Sequence, residues 1–146
     1  MRFLLIGDIV GNDGVNFLHT HLGTIKTHNK IDYVIANGEN STPVGKGLSR
    51  SIADTLYNCG VDVITMGNHT YNNREIFSLF DDGFPVIRPA NLPSSAEGIG
   101  YYTDNVCGVK VGVINLIGRV FLDNSDCPFK TADTIIDKIK NETDII

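Results

Sequence analysis

The organisation of the chain follows from the segment Val63–Thr70, which reads VITMGNHT. Its apolar, partly β-branched run ends abruptly at Gly67, and an amide and an imidazole side chain follow at Asn68 and His69. A continuous apolar run of this kind is typical of a strand that is buried on both faces of a parallel sheet. We therefore expect a buried strand that delivers two polar side chains to the edge of a sheet, where ligands usually bind.

Two other segments end in the same way. The apolar run Phe3–Ile6 leads into Gly7 and Asp8, and the run Tyr33–Ala36 leads into Asn37–Asn40, which reads NGEN. The carboxyl ends of parallel strands share one crevice, so polar residues that are far apart in sequence can converge there. The residues that form this candidate site are Asp8, Glu39, Asn40, Asn68 and His69.

Each of these residues also has an ordinary structural explanation. Asp8 alone is best explained as a turn former, and Asn68 and His69 can occupy a left-handed turn and a position satisfied by the backbone. Glu39 fits such an explanation poorly, because a charged side chain directly after a buried strand is not typical turn chemistry. Three strand ends that carry Asp, Glu-Asn and Asn-His together favour a functional site.

The composition is that of an ordinary globular protein. The chain has 146 residues, of which 42% are hydrophobic and 20% charged, with a net charge of −5. One domain over residues 1–146 with a substantial core is expected. Lys and Arg do not cluster as binding to long nucleic acid requires, and the apolar run at residues 3–6 is too short for a membrane span. Three scattered cysteines without a C-x-x-C pair indicate free thiols and a cytoplasmic location.

Strands and helices alternate in the first part of the chain. Strands are predicted at residues 2–7, 31–36 and 61–66. The first is followed by a turn through residues 11–14 and then by a helix whose apolar residues at 15, 18, 22 and 25 recur at helical spacing. Ser49 is expected to cap a second helix that Gly60 ends, and a third helix is expected over residues 73–80. These crossovers predict parallel strands.

The pattern changes after residue 84. Proline at both ends restricts Pro85–Pro89 to a short or edge strand. Residues 99–103 and 109–115 alternate as an antiparallel hairpin does, with residues 104–108 as the connection. A helix is predicted over residues 131–140, and residues 143–146 read as the start of another strand.

Metal-dependent phosphate chemistry suits the candidate site. Carboxylate and amide oxygens together with an imidazole favour divalent ions such as Mn²⁺ or Fe²⁺. Two such ions against two carboxylates leave an excess of about two positive charges, which favours a phosphate. A dinuclear centre also acidifies a bridging water and holds the attacking and leaving oxygens. His69 is placed to protonate the leaving alkoxide.

Other polar residues leave alternatives open. Lys46 and Arg119 are candidate phosphate contacts from their loops, or they lie in solvent. The three histidines of the first predicted helix, at positions 19, 21 and 28, are expected on the surface. The glycines at 7, 11 and 14 suggest a Rossmann-like nucleotide-binding module as an alternative, but their spacing departs from G-x-G-x-x-G and Asp8 would face the bound anion.

Six segments of the chain resemble one family, the calcineurin-like metallophosphoesterases, and within it the YmdB-like 2′,3′-cyclic nucleotide phosphodiesterases. The matching segments are Ile6–Gly11, Asn37–Asn40, Gly45–Leu48, Thr65–Thr70, Arg88–Asn91 and Asn115–Arg119. The resemblance implies an α/β fold, namely an αββα sandwich of which this chain supplies about the first half, as a mostly parallel sheet plus a hairpin.

The resemblance also implies a centre of two Fe or Mn ions. Asp8 and Asn40 would bind one ion, Glu39 would bridge both, and Asn68 would bind the second. His69 would be the catalytic acid. Most of the superfamily has a histidine two residues after the first Asp, where this chain has Val10, and in this branch the amide at position 40 takes over that ligand position.

The family places its remaining metal-binding histidines in a second half, beyond residue 146. The domain is therefore expected to be truncated at its C-terminus. Two hypotheses follow: a phosphodiesterase that acts on a small phosphodiester or nucleotide, or a catalytically incomplete half-domain that self-associates or pairs with a complementary C-terminal half. An exposed apolar sheet face would favour such pairing.

Overall fold

Four parallel strands form the main sheet of the protein. The structure is a computed structural model that describes residues 1–122 and 124–146. The strands lie in the order β1-β2-β3-β4, with all neighbouring pairs parallel. They are β1 (Phe3–Ile6), β2 (Tyr33–Asn37), β3 (Val63–Thr65) and β4 (Val86–Ile87). The three predicted strands are confirmed, and the proline-flanked fourth is the short edge strand expected, because proline cannot donate to a central ladder.

Three helices connect these strands. They are α1 (Gly11–Asn29), α2 (Arg50–Cys59) and α3 (Glu75–Asp81). Right-handed crossovers between sequential neighbours place all three on one face of the sheet, where their apolar residues share one buried cluster with β2 and β3. The predicted ends of α2 are confirmed: the Ser49 hydroxyl accepts a hydrogen bond from the backbone of Ile52, and Gly60 ends the helix at φ 110°.

The start of α1 corrects the sequence prediction. Residues 11–14 were expected to form a turn before the helix, but they are its first turn. Gly14 is closely packed in this turn, since a Cβ at this position would lie only 3.1 Å from the side chain of Ile9. The negative charge of Asp13 in the first turn interacts favourably with the positive end of the helix dipole. The glycine therefore reflects close packing and not a turn.

A hairpin covers the other face of the sheet. It consists of β5 (Tyr101–Val106) and β6 (Val109–Ile114), paired antiparallel. Its valines pack with Tyr33, Val63 and Ile87 in a second buried cluster. The five-residue connection predicted at 104–108 is wrong: the turn is only Cys107 and Gly108, with φ of 53° and 87°. Two positive φ values match the tight turn that suits a twisted hairpin.

A fourth helix lies beyond the hairpin. Helix α4 (Pro128–Ile139) begins three residues before the predicted start, because proline is compatible with the first helical turn. It packs on β6, where a Cβ at Gly112 would meet Ile139 at 2.8 Å. The layers are therefore helices, parallel sheet, hairpin and helix, which confirms the predicted α/β sandwich.

The last residues form less strand than predicted. Residues 143–146 contribute a single parallel bridge, between Val111 and Ile145, in which the Gly112 N–H donates to the Ile145 carbonyl at 2.8 Å. Cys59, Cys107 and Cys127 are free thiols, as predicted. None of the helices described has the length and apolar character needed to cross a membrane.

Candidate metal centre

The five predicted site residues lie at one edge of the parallel sheet. Asp8 follows β1, Glu39 and Asn40 follow β2 closely, and Asn68 and His69 follow β3. These three strands are neighbours and run in the same direction, so their carboxyl ends open on the same side. The fold therefore brings the predicted site residues from three strand ends to one edge of the sheet.

Asp8 and Asn40 form the first pair of the site. The Asn40 side-chain amide donates to Oδ1 of Asp8 at 2.7 Å. Asp8 has a left-handed backbone at φ 42°, a conformation that Asp tolerates better than most residues. Backbone hydrogen bonds join the two loops on either side, from Ile9 to the Asn37 carbonyl at 3.0 Å and from Gly11 to the Asn40 carbonyl at 2.9 Å. The carboxylate is thus held in place by its backbone and by its partner.

Glu39 links the second strand end to the third. Its Oε2 accepts a hydrogen bond from the backbone N–H of His69 at 3.1 Å. The carboxylate packs directly against Gly67, where an added Cβ would overlap both carboxylate oxygens and lie 2.5 Å from the carboxyl carbon. Only glycine at position 67 leaves room for Glu39, so this residue forms part of the site without contributing a side chain.

Asn68 and His69 present their side chains together. The amide nitrogen of Asn68 lies 3.3–3.4 Å from the two ring nitrogens of His69. Nδ1 of His69 lies 3.2 Å from Oδ1 of Asn72, which orients the ring. Asn68 is exposed and His69 is half-buried, so both remain accessible to a ligand. Sequence reasoning missed Asn72 and the packing role of Gly67, because nothing local distinguishes them.

The site residues have the donor atoms that a hard or borderline divalent ion prefers, but they are too few to complete the coordination of two ions. Two carboxylates, two amides and an imidazole are ligands for ions such as Mn²⁺. Within residues 1–122 and 124–146, however, no group of three or more His, Cys, Asp and Glu side chains is arranged to hold a metal ion. With Glu39 bridging, Asp8, Asn40 and Asn68 would complete five metal bonds, whereas two six-coordinate ions need about twelve. A centre of two ions would therefore need further ligands, such as water or groups outside the described residues.

The remaining polar candidates do not join this cluster. Lys46 is exposed on the loop that follows Glu39, and Arg119 lines a separate cavity beside α4. Their role as phosphate contacts stays a prediction. The histidines at 19, 21 and 28 are exposed on α1, as expected. In the part of the chain described, the strand order has no reversal at which a Rossmann-like module would bind its dinucleotide.

Comparison with known proteins now assigns the family. A family model of YmdB-like proteins matches residues 4–146. The chain belongs to this family. It is 42% identical over 146 residues to the 2′,3′-cyclic-nucleotide 2′-phosphodiesterase of Bacillus subtilis (strain 168), covering 100% of the chain and 55% of that protein. The predicted resemblance is confirmed.

Two solved structures agree with the fold. A hypothetical protein from Thermus thermophilus superposes with a TM-score of 0.89 at 36% identity, covering 94% of this chain and 53% of that one. A novel phosphatase from Mycoplasma pneumoniae gives a TM-score of 0.85 at 33% identity, with coverage of 94% and 51%. The chain thus spans about half the length of each of these three proteins.

Proposed function

We propose that the chain forms part of a metal-dependent phosphodiesterase that hydrolyses 2′,3′-cyclic nucleotides or similar small phosphodiesters at a centre of two Fe or Mn ions. The observation that supports this most directly is the pair of contacts made by the adjacent residues Glu39 and Asn40. Asn40 contacts Asp8 after β1, and Glu39 contacts the backbone of His69 after β3. The name of the Bacillus subtilis relative indicates the same reaction class.

Each residue of the site has a defined task in this proposal. Asp8 and Asn40 would hold one ion, Asn68 the other, and Glu39 both. Ions held there supply charge stabilisation for phosphate oxygens and acidify a coordinated water. His69 would donate a proton to the leaving alkoxide from its ring, whose Nδ1 lies 3.2 Å from Oδ1 of Asn72 and whose Nε2 lies 3.3 Å from the Asn68 amide nitrogen.

The test of this proposal is metal-dependent turnover. We expect hydrolysis of a nucleoside 2′,3′-cyclic phosphate in Mn²⁺ that EDTA abolishes and excess Mn²⁺ restores. Because the described donors are too few for two ions, the chain should be assayed alone and mixed with the part of the Bacillus subtilis relative that it does not match. The mixture is expected to be the more active. Absence of metal-dependent hydrolysis in both would exclude the proposed reaction.

A second proposed function, pairing with another chain, is favoured by an open apolar surface. A cavity of about 420 Å³ lies where the parallel sheet meets the hairpin, lined by apolar side chains of β1 and β6 together with Ile145 and Ile146. Leu5 on the edge strand β1 is 72% exposed. An apolar edge strand of this kind favours association. A second copy of the chain, or a complementary C-terminal half, would cover it.

We expect the chain to self-associate through this surface. Sedimentation velocity over a range of concentrations should show a species larger than the monomer, and Leu5→Lys should shift the equilibrium to the monomer. The control is Phe17→Lys, which changes an exposed apolar residue on α1, a helix that packs on the opposite face of the sheet from the hairpin. A monomer at every concentration, or equal association of both variants, would contradict the assignment of this surface.

A further inference from the structure

A second, electropositive cavity lies beside the amino end of α4. It has a volume of about 590 Å³ and lies among the segment after β4, the segment after β6 and the first turns of α4. Among the described residues, Arg88, Arg119 and Lys130 line it together with one carboxylate, that of Asp126. These described side chains have an excess of positive charge that the proposed chemistry of the metal centre does not use.

Arg88 is a buried cation without an acidic partner in the described residues. It is only 8% exposed. Its guanidinium donates to three backbone carbonyls, those of Glu97 at 3.1 Å, Pro89 at 2.8 Å and Ala96 at 3.2 Å. None of the ion pairs within residues 1–122 and 124–146 includes it. The three carbonyls hold the guanidinium at the wall of the cavity, and they carry no net charge that would neutralise it.

The amino end of α4 adds to this positive charge. Its first turn contains no acidic residue, although acids are favoured there, and it carries Lys130 instead. The N-cap residue Cys127 makes no capping hydrogen bond through its side chain. The backbone N–H of Lys130, then that of Phe129 and the charges of Lys130 and Arg119, lower the pKa of the Cys127 thiol. The helix thus begins with cations where an anion would be stabilising.

This cavity has one wall residue in common with a smaller cavity at the metal centre. Leu92 lines it and also lines a smaller cavity of about 90 Å³, whose other walls include Gly67 and Asn68. Leu92 is thus the residue that lies between the strand ends and the cations. With metal ions bound at the strand ends, both places would suit anionic groups of one small molecule.

We propose that the cavity lined by Arg88, Arg119 and Lys130 binds a phosphate group of the substrate other than the one that is hydrolysed. Guanidinium, ammonium and helix N–H groups together are the usual partners of a phosphate. The substrate class is then a nucleotide that carries an additional phosphate, such as a nucleoside 2′,3′-cyclic phosphate with a 5′-phosphate. This choice of ligand rests on the proposed function, whereas binding of phosphate by the cavity does not.

The first experiment uses inorganic phosphate and the metal-free chain in EDTA, followed by ¹H–¹⁵N NMR. Phosphate is expected to shift the backbone amides of Phe129, Lys130 and Thr131. Lys130→Gln should weaken binding about tenfold, since it removes a charged hydrogen-bond donor to the phosphate. The matched control is Lys140→Gln, which removes the same charge from the exposed end of α4 and should bind as the unchanged chain does.

The second experiment compares two substrates in Mn²⁺, with and without the additional 5′-phosphate. The 5′-phosphate is expected to lower KM about tenfold, and Lys130→Gln should remove that advantage while kcat is retained. If neither substrate is hydrolysed, the proposed function fails, and the NMR titration still tests whether the cavity binds phosphate. If phosphate leaves the amides at the start of α4 unshifted, or Lys130→Gln binds as tightly as Lys140→Gln, the cavity proposal is overturned.

Discussion

Asp8→Asn is expected to lower kcat/KM for a cyclic phosphodiester on the order of 10³-fold, as loss of a group that stabilises transition-state charge does. Asp8 supplies one of only two carboxylates in the candidate centre, and its loss removes a full negative charge from the proposed ions. Asn is the informative replacement because it tolerates the left-handed backbone at φ 42° and can still accept the hydrogen bond from Asn40. The substitution therefore removes the negative charge and retains the backbone conformation and the hydrogen bond.

The measurement pairs kinetics with metal binding in the most active form of the protein. Asp8→Asn should lose both turnover and Mn²⁺ affinity, with thermal unfolding unchanged. His69→Ala serves as the comparison: loss of a general acid lowers kcat by about 10²–10⁴-fold, while the bound metal should be retained. Full activity in Asp8→Asn, or equal metal loss in His69→Ala, would refute the assigned roles.

Gly67→Ala is expected to lower activity about 100-fold, in the range observed when the support of a metal ligand is lost, while the fold is retained. The added Cβ overlaps the Glu39 carboxylate, which must then swing away from the strand ends. Glu39 is half-buried and its carboxylate ends a flexible chain, so this movement should cost less than about 1 kcal/mol of unfolding free energy. The substitution should therefore remove Glu39 as the proposed bridging ligand and leave the packing of the core unchanged.

A matched control exists at the end of β1. Gly7 also lies between a strand and a site residue, but an added Cβ there has no atom within 4 Å. Gly7→Ala should therefore retain near-normal activity and metal affinity. Thermal unfolding and Mn²⁺ titration of both variants provide the comparison. A Gly67→Ala protein with normal metal binding would show that the Glu39 carboxylate is not a ligand.

The sequence predicted the elements whose signals are local. The apolar runs before Gly7, Asn37 and Gly67 indicated the three strands, and the cap at Ser49 and the stop at Gly60 indicated the ends of α2. These signals succeed because hydrophobic spacing and capping depend on neighbouring residues only. The five candidate site residues were also identified in this way, since a shared sheet edge follows from parallel strands.

The errors concern residues whose local preference is overridden by packing. Gly11 and Gly14 suggest a turn, and Gly11 has the left-handed φ of 58° that a turn favours, yet both lie in α1, where Gly14 packs closely against Ile9. Asp104 and Asn105 suggest a loop, yet both stay paired in β5, and the Asn105 side chain accepts a hydrogen bond from Gly108 to close a shorter turn. Propensity is a weak prior that tertiary contacts routinely override.

The sequence by itself determined the family, the alternation of strands and helices, and which polar side chains stand at the strand ends. Only the tertiary structure decided that Glu39 packs on Gly67 and contacts His69, and that Arg88, Arg119 and Lys130 line one cavity. The physical reason is distance along the chain: His69 is 30 residues from Glu39. No local pattern encodes a contact that forms only when separate strands and helices pack together.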